Sequence, residues 1–188
     1  MTRKSALCCA FFVFFAGFLG AQENKGGLQA VLNHYAARNF VSGEVSRGDL
    51  DQILQAGIRA PSANNRQPWL FTVVRTAALA RQIVSNNEDG NVLIVISAEG
   101  DGRTNGRQIL DCALAAQSIY LAAQALGYGS RIYTGPIDSV NKNLKTQLGL
   151  PNDHNAIVLV RVGKVQANVD ALSAASSRAA AGTKVQYK

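Results

Sequence analysis

The chain has 188 residues, of which 47% are hydrophobic and 16% charged, a balance typical of one globular domain and not of a disordered chain. Its formal net charge is +7, but the cations are scattered singly and no run is longer than the pair Arg3-Lys4. The charge therefore predicts no nucleic-acid partner. No residue spacing is typical of a zinc site or a P-loop, so no metal is predicted.

The first 21 residues have the layout of a secretory signal peptide. The pair Arg3-Lys4 precedes an apolar run over residues 6–19 and the small residues Gly20-Ala21. The apolar run is shorter than the roughly 20 residues that a spanning helix needs. Because Leu19 is not the small residue that a cut after Ala21 favours, an uncleaved anchor stays open as the alternative. We expect an exported, periplasmic or otherwise extracytoplasmic protein that meets a membrane only if this segment is not cleaved.

Residues 22–188 are expected to form one domain with a C-terminal arm from about residue 164, since the last 25 residues carry little hydrophobic periodicity. Once residues 1–21 are removed, Cys112 is the only cysteine, so no internal disulfide can form. Cys112 falls in an apolar helical stretch, which favours a small core residue over a nucleophile.

Hydrophobic periodicity and turn residues predict alternating helices and strands. The predicted helices cover residues 28–37, 47–59, 77–86, 107–126 and 139–148. The predicted strands cover residues 69–75, 92–98, 131–134 and 155–162. Ser46 and Asp49 form a capping box, and Pro61 ends the second helix. The unbroken apolar run 92–98 is typical of a central strand covered on both faces. These elements predict an α+β (α/β-like) fold with a mixed central sheet of four to five strands between helices.

Three segments together resemble the nitroreductase family of flavoproteins. The sequence APSANNRQPW at 60–69, between a helix and a strand, is similar to the family signature APS-x-x-N-x-QPW. Residues 111–130 look like the family's long central helix with its glycine turn. Tyr133-Thr134-Gly135-Pro136, a helix, Leu148-Gly149-Leu150-Pro151, a strand and Gly163 then follow in the family's order. The resemblance covers about residues 28–178.

The resemblance implies a homodimer that holds FMN between its subunits. The implied reaction is the oxidation of NAD(P)H and the reduction of a small-molecule acceptor, nitroaromatic, quinone-like or similarly flat, by a ping-pong mechanism. The flavin carries this chemistry, and the protein supplies positioning and electrostatics. The resemblance therefore implies no certain catalytic side chain.

The resemblance also implies flavin contacts in two loops. In the first loop these are Pro61, Ser62, Asn65 and Gln67, of which Ser62 and Asn65 offer hydrogen-bond donors and acceptors. From the residues alone, this loop could equally be a tight turn before a core tryptophan. In the second loop, Thr134-Gly135 matches the position from which the family presents backbone amides to flavin N5.

The family's phosphate-binding residues are only partly present. Aligned on Phe40, the motif Arg-x-Ser-x-Arg/Lys becomes His34, Ala36 and Arg38. The resemblance places Arg38 near flavin N1 and O2, where it would stabilise negative charge on the reduced ring. The changes at His34 and Ala36 weaken one phosphate charge and remove one hydroxyl. Arg178 lies 15 residues after Gly163, close to the spacing of the family's C-terminal phosphate-binding arginine, although a solvated tail residue is the alternative.

These departures support a second hypothesis, an exported degenerate member that binds flavin or another flat ligand without nicotinamide-driven turnover. Export favours it, because nicotinamide cofactors are scarce outside the cytoplasm. A third hypothesis is another FMN chemistry on the same fold, such as flavin cleavage or reductive dehalogenation.

Overall fold

The computed structural model describes residues 25–100, 105–166 and 177–188. The expected signal peptide (1–21) and residues 167–176 of the expected arm lie outside these ranges. No helix within the described ranges combines the length and the apolar character needed to cross a bilayer.

Helices and strands alternate along the described chain. The helices are α1 (Lys25–Leu32), α2 (Arg47–Ile58), α3 (Ala77–Ile83), α4 (Gly106–Ala125) and α5 (Ile137–Ser139), which runs on into a π-helical turn at Val140–Leu144. The strands are β1 (Phe40–Val41), β2 (Leu70–Val74), β3 (Val92–Glu99), β4 (Gly129–Tyr133) and β5 (His154–Val165). This arrangement confirms the predicted α+β fold class and the strand number.

The five strands form one sheet in the order β1-β5-β3-β2, and β4 pairs with β5 along the same edge as β1. Each of these pairings is antiparallel, so the expectation of a mixed sheet was wrong. The reason lies in β5. Helix α4 connects β3 to β4, which run parallel to each other as a helical crossover requires. Strand β5 inserts between them and runs opposite to both.

Two apolar cores cover the two faces of the sheet. On one face α2 and α4 pack over alternate residues of β3, such as Ile94 and Ile96. On the other face α3 and the α5 segment pack over Leu93 and Val95. The prediction that residues 92–98 are covered on both faces is thereby confirmed. Cys112 is fully buried in the first core, and this burial raises the pKa of its thiol to about 12. It is the inert core residue that was predicted.

The chain between α1 and α2 differs from the sequence prediction. Helix α1 ends at Leu32 and not at Ala37. The side chain of Gln124 accepts from Tyr35 N at 3.1 Å and donates to Tyr35 O at 3.0 Å. These bonds occupy both backbone groups of Tyr35, which are then not available to a helix. Strand β1, which the sequence did not predict, follows through Phe40 against Val165.

Candidate flavin site

The loop at residues 60–68 is folded by its own polar side chains. Ser62 Oγ accepts from Gln67 N at 3.0 Å, and Gln67 Nε2 donates to Asn65 Oδ1 at 3.1 Å. Pro61, Asn65 and Gln67 are exposed, and Ser62 is half-buried. The internal hydrogen bonds fix the side-chain oxygens and leave Asn65 Nδ2 with no bond to another described residue. The loop therefore has internal hydrogen bonds of its own, and Asn65 Nδ2 stays available to a ligand.

The backbone of this loop carries three of the unusual torsion angles of the chain. Asn64, Asn65 and Gln67 have φ values of 54°, 54° and 48°. Asparagine tolerates this left-handed region better than most residues, whereas glutamine does not. Strained backbone of this kind is found most often at ligand-binding sites. The torsion angles thus favour a binding loop over a simple turn.

Asp111 of helix α4, which is 5% exposed, binds the loop at residues 60–68. Asp111 Oδ1 accepts from Ala63 N at 2.9 Å. The sequence prediction did not single out Asp111. A signal was present, since Asp111 is the single acidic residue of α4 and stands among apolar neighbours. A buried carboxylate in such a helix needs a partner, and here the partner is a loop amide.

The other end of α4 fixes the segment that contains His34 and Arg38. Gln124 binds the backbone of Tyr35, and Ala37 N donates to Ser130 O at 3.0 Å. A cavity of about 250 Å³ opens beside this segment. Its lining comes from α1, the segment itself, the end of α4 and β5: Ala30, Asn33, His34, Tyr35, Gln124, Ala125, Gly127, Tyr128 and Val165.

Tyr120 lies against His34, one of the predicted phosphate-binding residues. The His34 ring meets the Tyr120 ring edge-on at 5.5 Å between centroids. Burial raises the pKa of Tyr120, and the hydrogen bond to Gln124 and the positive charge of Arg178 act in the opposite direction. Arg178, which is far from His34 in the sequence, thus lies within electrostatic range of Tyr120. Arg38 is exposed four residues after His34, near the same end of α4.

The remaining predicted residues are not brought together with His34 in one chain. Asp111 and Gln124 are 13 residues apart on α4, which places the loop about 20 Å from His34 along the helix. Thr134 and Gly135 follow the far end of β4, about 13 Å along the strand from Ser130. Both are exposed, and Gly135 lines a separate hollow of about 410 Å³ with residues of α3 and the α5 segment.

The family model and the curated relatives define the chain as a flavin oxidoreductase, on an α+β fold. Residues 31–89 and 83–164 match the model of the nitroreductase family, and the chain belongs to that family. A relative in Archaeoglobus fulgidus, whose name pairs NADH dehydrogenase with NAD(P)H nitroreductase, is 30% identical over 146 residues, 72% of this chain and 83% of that protein. A relative of the same name in Methanothermobacter thermautotrophicus is 29% identical over 133 residues, 66% of this chain and 69% of that protein.

Solved structures show the same fold. The nitroreductase of Desulfitobacterium hafniense, crystallised with FMN, superposes with a TM-score of 0.71 at 23% identity, covering 86% of this chain and 97% of that one. Nitroreductase A of Vibrio parahaemolyticus superposes with a TM-score of 0.72 at 21% identity, covering 86% and 76%.

Proposed function

We propose that this protein is an FMN-dependent oxidoreductase that takes electrons from NAD(P)H and reduces nitroaromatic, quinone-like or similarly flat acceptors. Donor and acceptor would use one site in turn, which is a ping-pong mechanism. The observation that carries the proposal is the ordered polar loop at 60–68, which presents Ser62, Asn65 and Gln67 at one end of α4, with His34 against Tyr120 at the other end. The names of the relatives, which include NAD(P)H nitroreductase, support it.

The residues present fit FMN. A phosphate needs directional donors. Arg178 carries a guanidinium that can supply them, and His34 lines a cavity of about 250 Å³. The ribityl chain and the ring edge need neutral donors and acceptors, and the loop at 60–68 presents Ser62, Asn65 and Gln67. When bound, FMN supplies the hydride and electron exchange that no side chain can perform.

Two further assignments belong to the same proposal. Arg38 would lie against the pyrimidine edge of the flavin and stabilise negative charge there. The backbone amides at Thr134-Gly135 would hold N5 in place by donating to it. Both segments are exposed and free of regular structure, as a ligand-facing segment requires.

We also propose that the site is completed by a second copy of the chain. The loop and His34 lie at opposite ends of α4, about 20 Å apart along the helix. If two copies of α4 pack antiparallel around a two-fold axis, the loop of one subunit comes next to His34 of the other. The exposed leucines of α4 favour this packing, because Leu110 and Leu114 are 66% and 44% exposed and lie one turn apart on one face.

Export stays part of the proposal. The layout of residues 1–21 supports a cleaved signal peptide, and residues 22–188 would then form one nitroreductase-like domain. In that case the electron donor would have to be available outside the cytoplasm.

The proposal is tested by an absorption spectrum of the purified protein before and after addition of FMN. We expect the visible bands of oxidised flavin to stay with the protein on gel filtration and to bleach when NADH or NADPH is added. Addition of a nitroaromatic or a quinone should then restore the bands.

Two results would change the assignment. Bound flavin that neither nicotinamide can bleach would support the degenerate, flavin-binding alternative, which the changes at His34 and Ala36 favour. If no flavin is retained, the site does not serve this cofactor at all. A cooperative thermal unfolding transition of the wild type separates the second case from misfolding. If the wild type does retain flavin, Arg178→Ala should release it without lowering the melting temperature of the apoprotein, because Arg178 is exposed.

A further inference from the structure

Two arginines that the flavin proposal does not use face one hollow beside the loop at 60–68. The hollow has a volume of about 570 Å³ and is lined by Arg66, Asn105, Gly106, Arg107 and Leu110. Arg66 belongs to the loop itself, between Asn65 and Gln67, and Arg107 lies in the first turn of α4. Both side chains are exposed.

Within residues 25–100, 105–166 and 177–188, neither guanidinium makes a hydrogen bond or an ion pair. Three other exposed arginines are paired, Arg47 with Asp51, Arg75 with Glu44 and Arg81 with Asp89, whereas Arg59 is exposed and makes no ion pair with a described residue. Two like charges on one hollow repel each other, and a bound anion removes that repulsion.

The surroundings of the two arginines add to this positive potential. Asp111, one turn after Arg107, is buried, accepts from Ala63 N and does not line the hollow. Asn105 Oδ1 caps α4 by accepting from Gln108 N at 3.4 Å, and the peptide dipoles of the 20-residue helix point their positive end at the hollow.

We propose that Arg66 and Arg107 bind an anionic oxygen group, a carboxylate, sulfonate or phosphate, on the flat molecule that exchanges electrons at the flavin. The inference rests on the proposed function, because the loop that carries Arg66 is the proposed flavin loop. It adds a substrate class, which is flat reactants that bear a negative charge. The group resides on the acceptor or on the nicotinamide donor, and the experiment separates these two sources.

The test compares acceptors of equal shape and different charge. FMN-loaded protein is reduced with dithionite and mixed rapidly with 4-nitrobenzoate or with neutral 4-nitrobenzamide, and the rate of flavin reoxidation is measured. In Arg66→Gln/Arg107→Gln we expect the second-order rate constant for 4-nitrobenzoate to fall about tenfold and that for 4-nitrobenzamide to change less than twofold. Arg66→Lys/Arg107→Lys should recover part of the loss. Arg47→Gln, an exposed arginine on α2, is the matched control and should change neither rate.

The donor is tested by the same variants in the reduction step. If the loss falls on reduction by NADH or NADPH and not on 4-nitrobenzoate, the anionic group belongs to the donor. A rate for 4-nitrobenzoate that falls with added salt in the wild type but not in the double glutamine variant would support the acceptor.

The two proposals fail in different ways. Equal effects of the substitutions on charged and neutral acceptors and on the donors, or no effect on any of them, would overturn the anion site and leave the oxidoreductase intact. Bound flavin that exchanges electrons with no donor or acceptor, or a protein that retains no flavin, would contradict the proposed function and the anion site together.

Discussion

His34 stands at the position of a phosphate-binding arginine in the family's motif, and its hydrogen bond limits what it can do. Its Nδ1 lies 2.6 Å from Val31 O. A carbonyl oxygen can only accept, so Nδ1 must carry the proton of the neutral ring. Nε2 is then an acceptor in the neutral ring and becomes a donor only in the imidazolium. An arginine at this position would offer a phosphate several charged donors in a fixed geometry.

His34→Arg is therefore expected to lower the Kd for FMN about three- to tenfold, because a guanidinium offers charged, forked donors to a phosphate. The measurement is a fluorescence titration of the apoprotein with FMN at pH 7. Riboflavin, which has no phosphate, is the matched control, and its Kd should change less than twofold. Equal Kd values for FMN in His34→Arg and in the wild type would rule out the role assigned to His34.

Asp111 supports the loop without reaching its exposed surface, and its loss should act on flavin binding more than on folding. Asp111→Ala leaves the amide of Ala63 without its acceptor, which costs about 1–3 kcal/mol if the amide stays buried. The loop can instead relax, and we expect the Kd for FMN to rise about tenfold. Asp111→Asn keeps an acceptor oxygen and should recover most of the affinity. Asp51→Ala, an exposed acid on α2, is the control, and equal Kd values for Asp111→Ala and Asp51→Ala would contradict the role.

Which site residues could be predicted depended on whether their partners are near in sequence. The loop residues and Arg178 were named from a motif and a spacing. Asp111 was missed because its partner, Ala63, is 48 residues away. From the sequence, Gln124 and Tyr120 could only be assigned to the predicted helix. The partner of Gln124, Tyr35, is 89 residues away, so its contact could not be predicted. The functional role of such residues follows from the tertiary fold alone.

At the scale of elements, the start of α2 is tied to the turn after α4 by one tyrosine. Tyr128, which is 4% exposed, donates from its hydroxyl to Asp49 Oδ2 at 2.7 Å and accepts from Ser46 N at 3.3 Å. Ser46 Oγ accepts from Asp49 N at 3.1 Å, which confirms Ser46 as the N-cap. In a capping box the Asp49 side chain would accept from Ser46 N. Here Ser46 N donates to the Tyr128 hydroxyl instead, and Asp49 accepts from Ser46 Oγ at 2.7 Å.

Tyr128→Phe should lower the melting temperature at pH 7 by about 2–4 °C, since it removes both bonds and keeps the ring. The hydrogen bonds from Tyr128 and then Ser46 lower the pKa of Asp49 from its usual 3.8. A lowered folded-state pKa gives stability that is present above about pH 4 and is lost as the pH falls through the folded value. The difference between Tyr128→Phe and the wild type should therefore shrink below pH 4. Thermal unfolding followed by circular dichroism at pH 3 and pH 7 measures this, and a constant difference would show that Asp49 does not contribute.

The order of helices and strands could be predicted from the sequence because each long element carries its own periodicity. Helix α4 and strand β3 were placed to within one residue at each end. The two-residue strand β1 is too short for any periodic signal, and α1 was extended too far because the side chain that stops it, Gln124, is remote. Strand direction is a property of pairing, so the insertion of β5 between β3 and β4 could not be inferred from either strand.

At the scale of the molecule, the two halves of the proposed flavin site lie far apart within a single chain. The polar loop is held at Asp111 and the phosphate end at Gln124, about 20 Å along the same helix. Two copies related by a two-fold axis across α4 would form two sites, each with the loop of one chain and the phosphate end of the other. The exposed leucines on α4 are consistent with such a contact, whereas periodicity in the sequence could not distinguish it from ordinary core packing.

Mixed dimers test this arrangement directly. Asn65→Ala should disable every loop, and Arg178→Ala should disable every phosphate end, so each variant alone should retain almost no FMN. When the two variants are unfolded, mixed in equal amounts and refolded, about half of the dimers should contain one chain of each kind. In those dimers the intact loop of one chain meets the intact phosphate end of the other, which restores one of the two sites. Bound FMN, measured by absorption after gel filtration, should then reach about a quarter of the wild-type amount. Sites built within single chains would restore none, because every chain would still carry one disabled half, and that outcome would exclude the composite site even if the protein is a dimer.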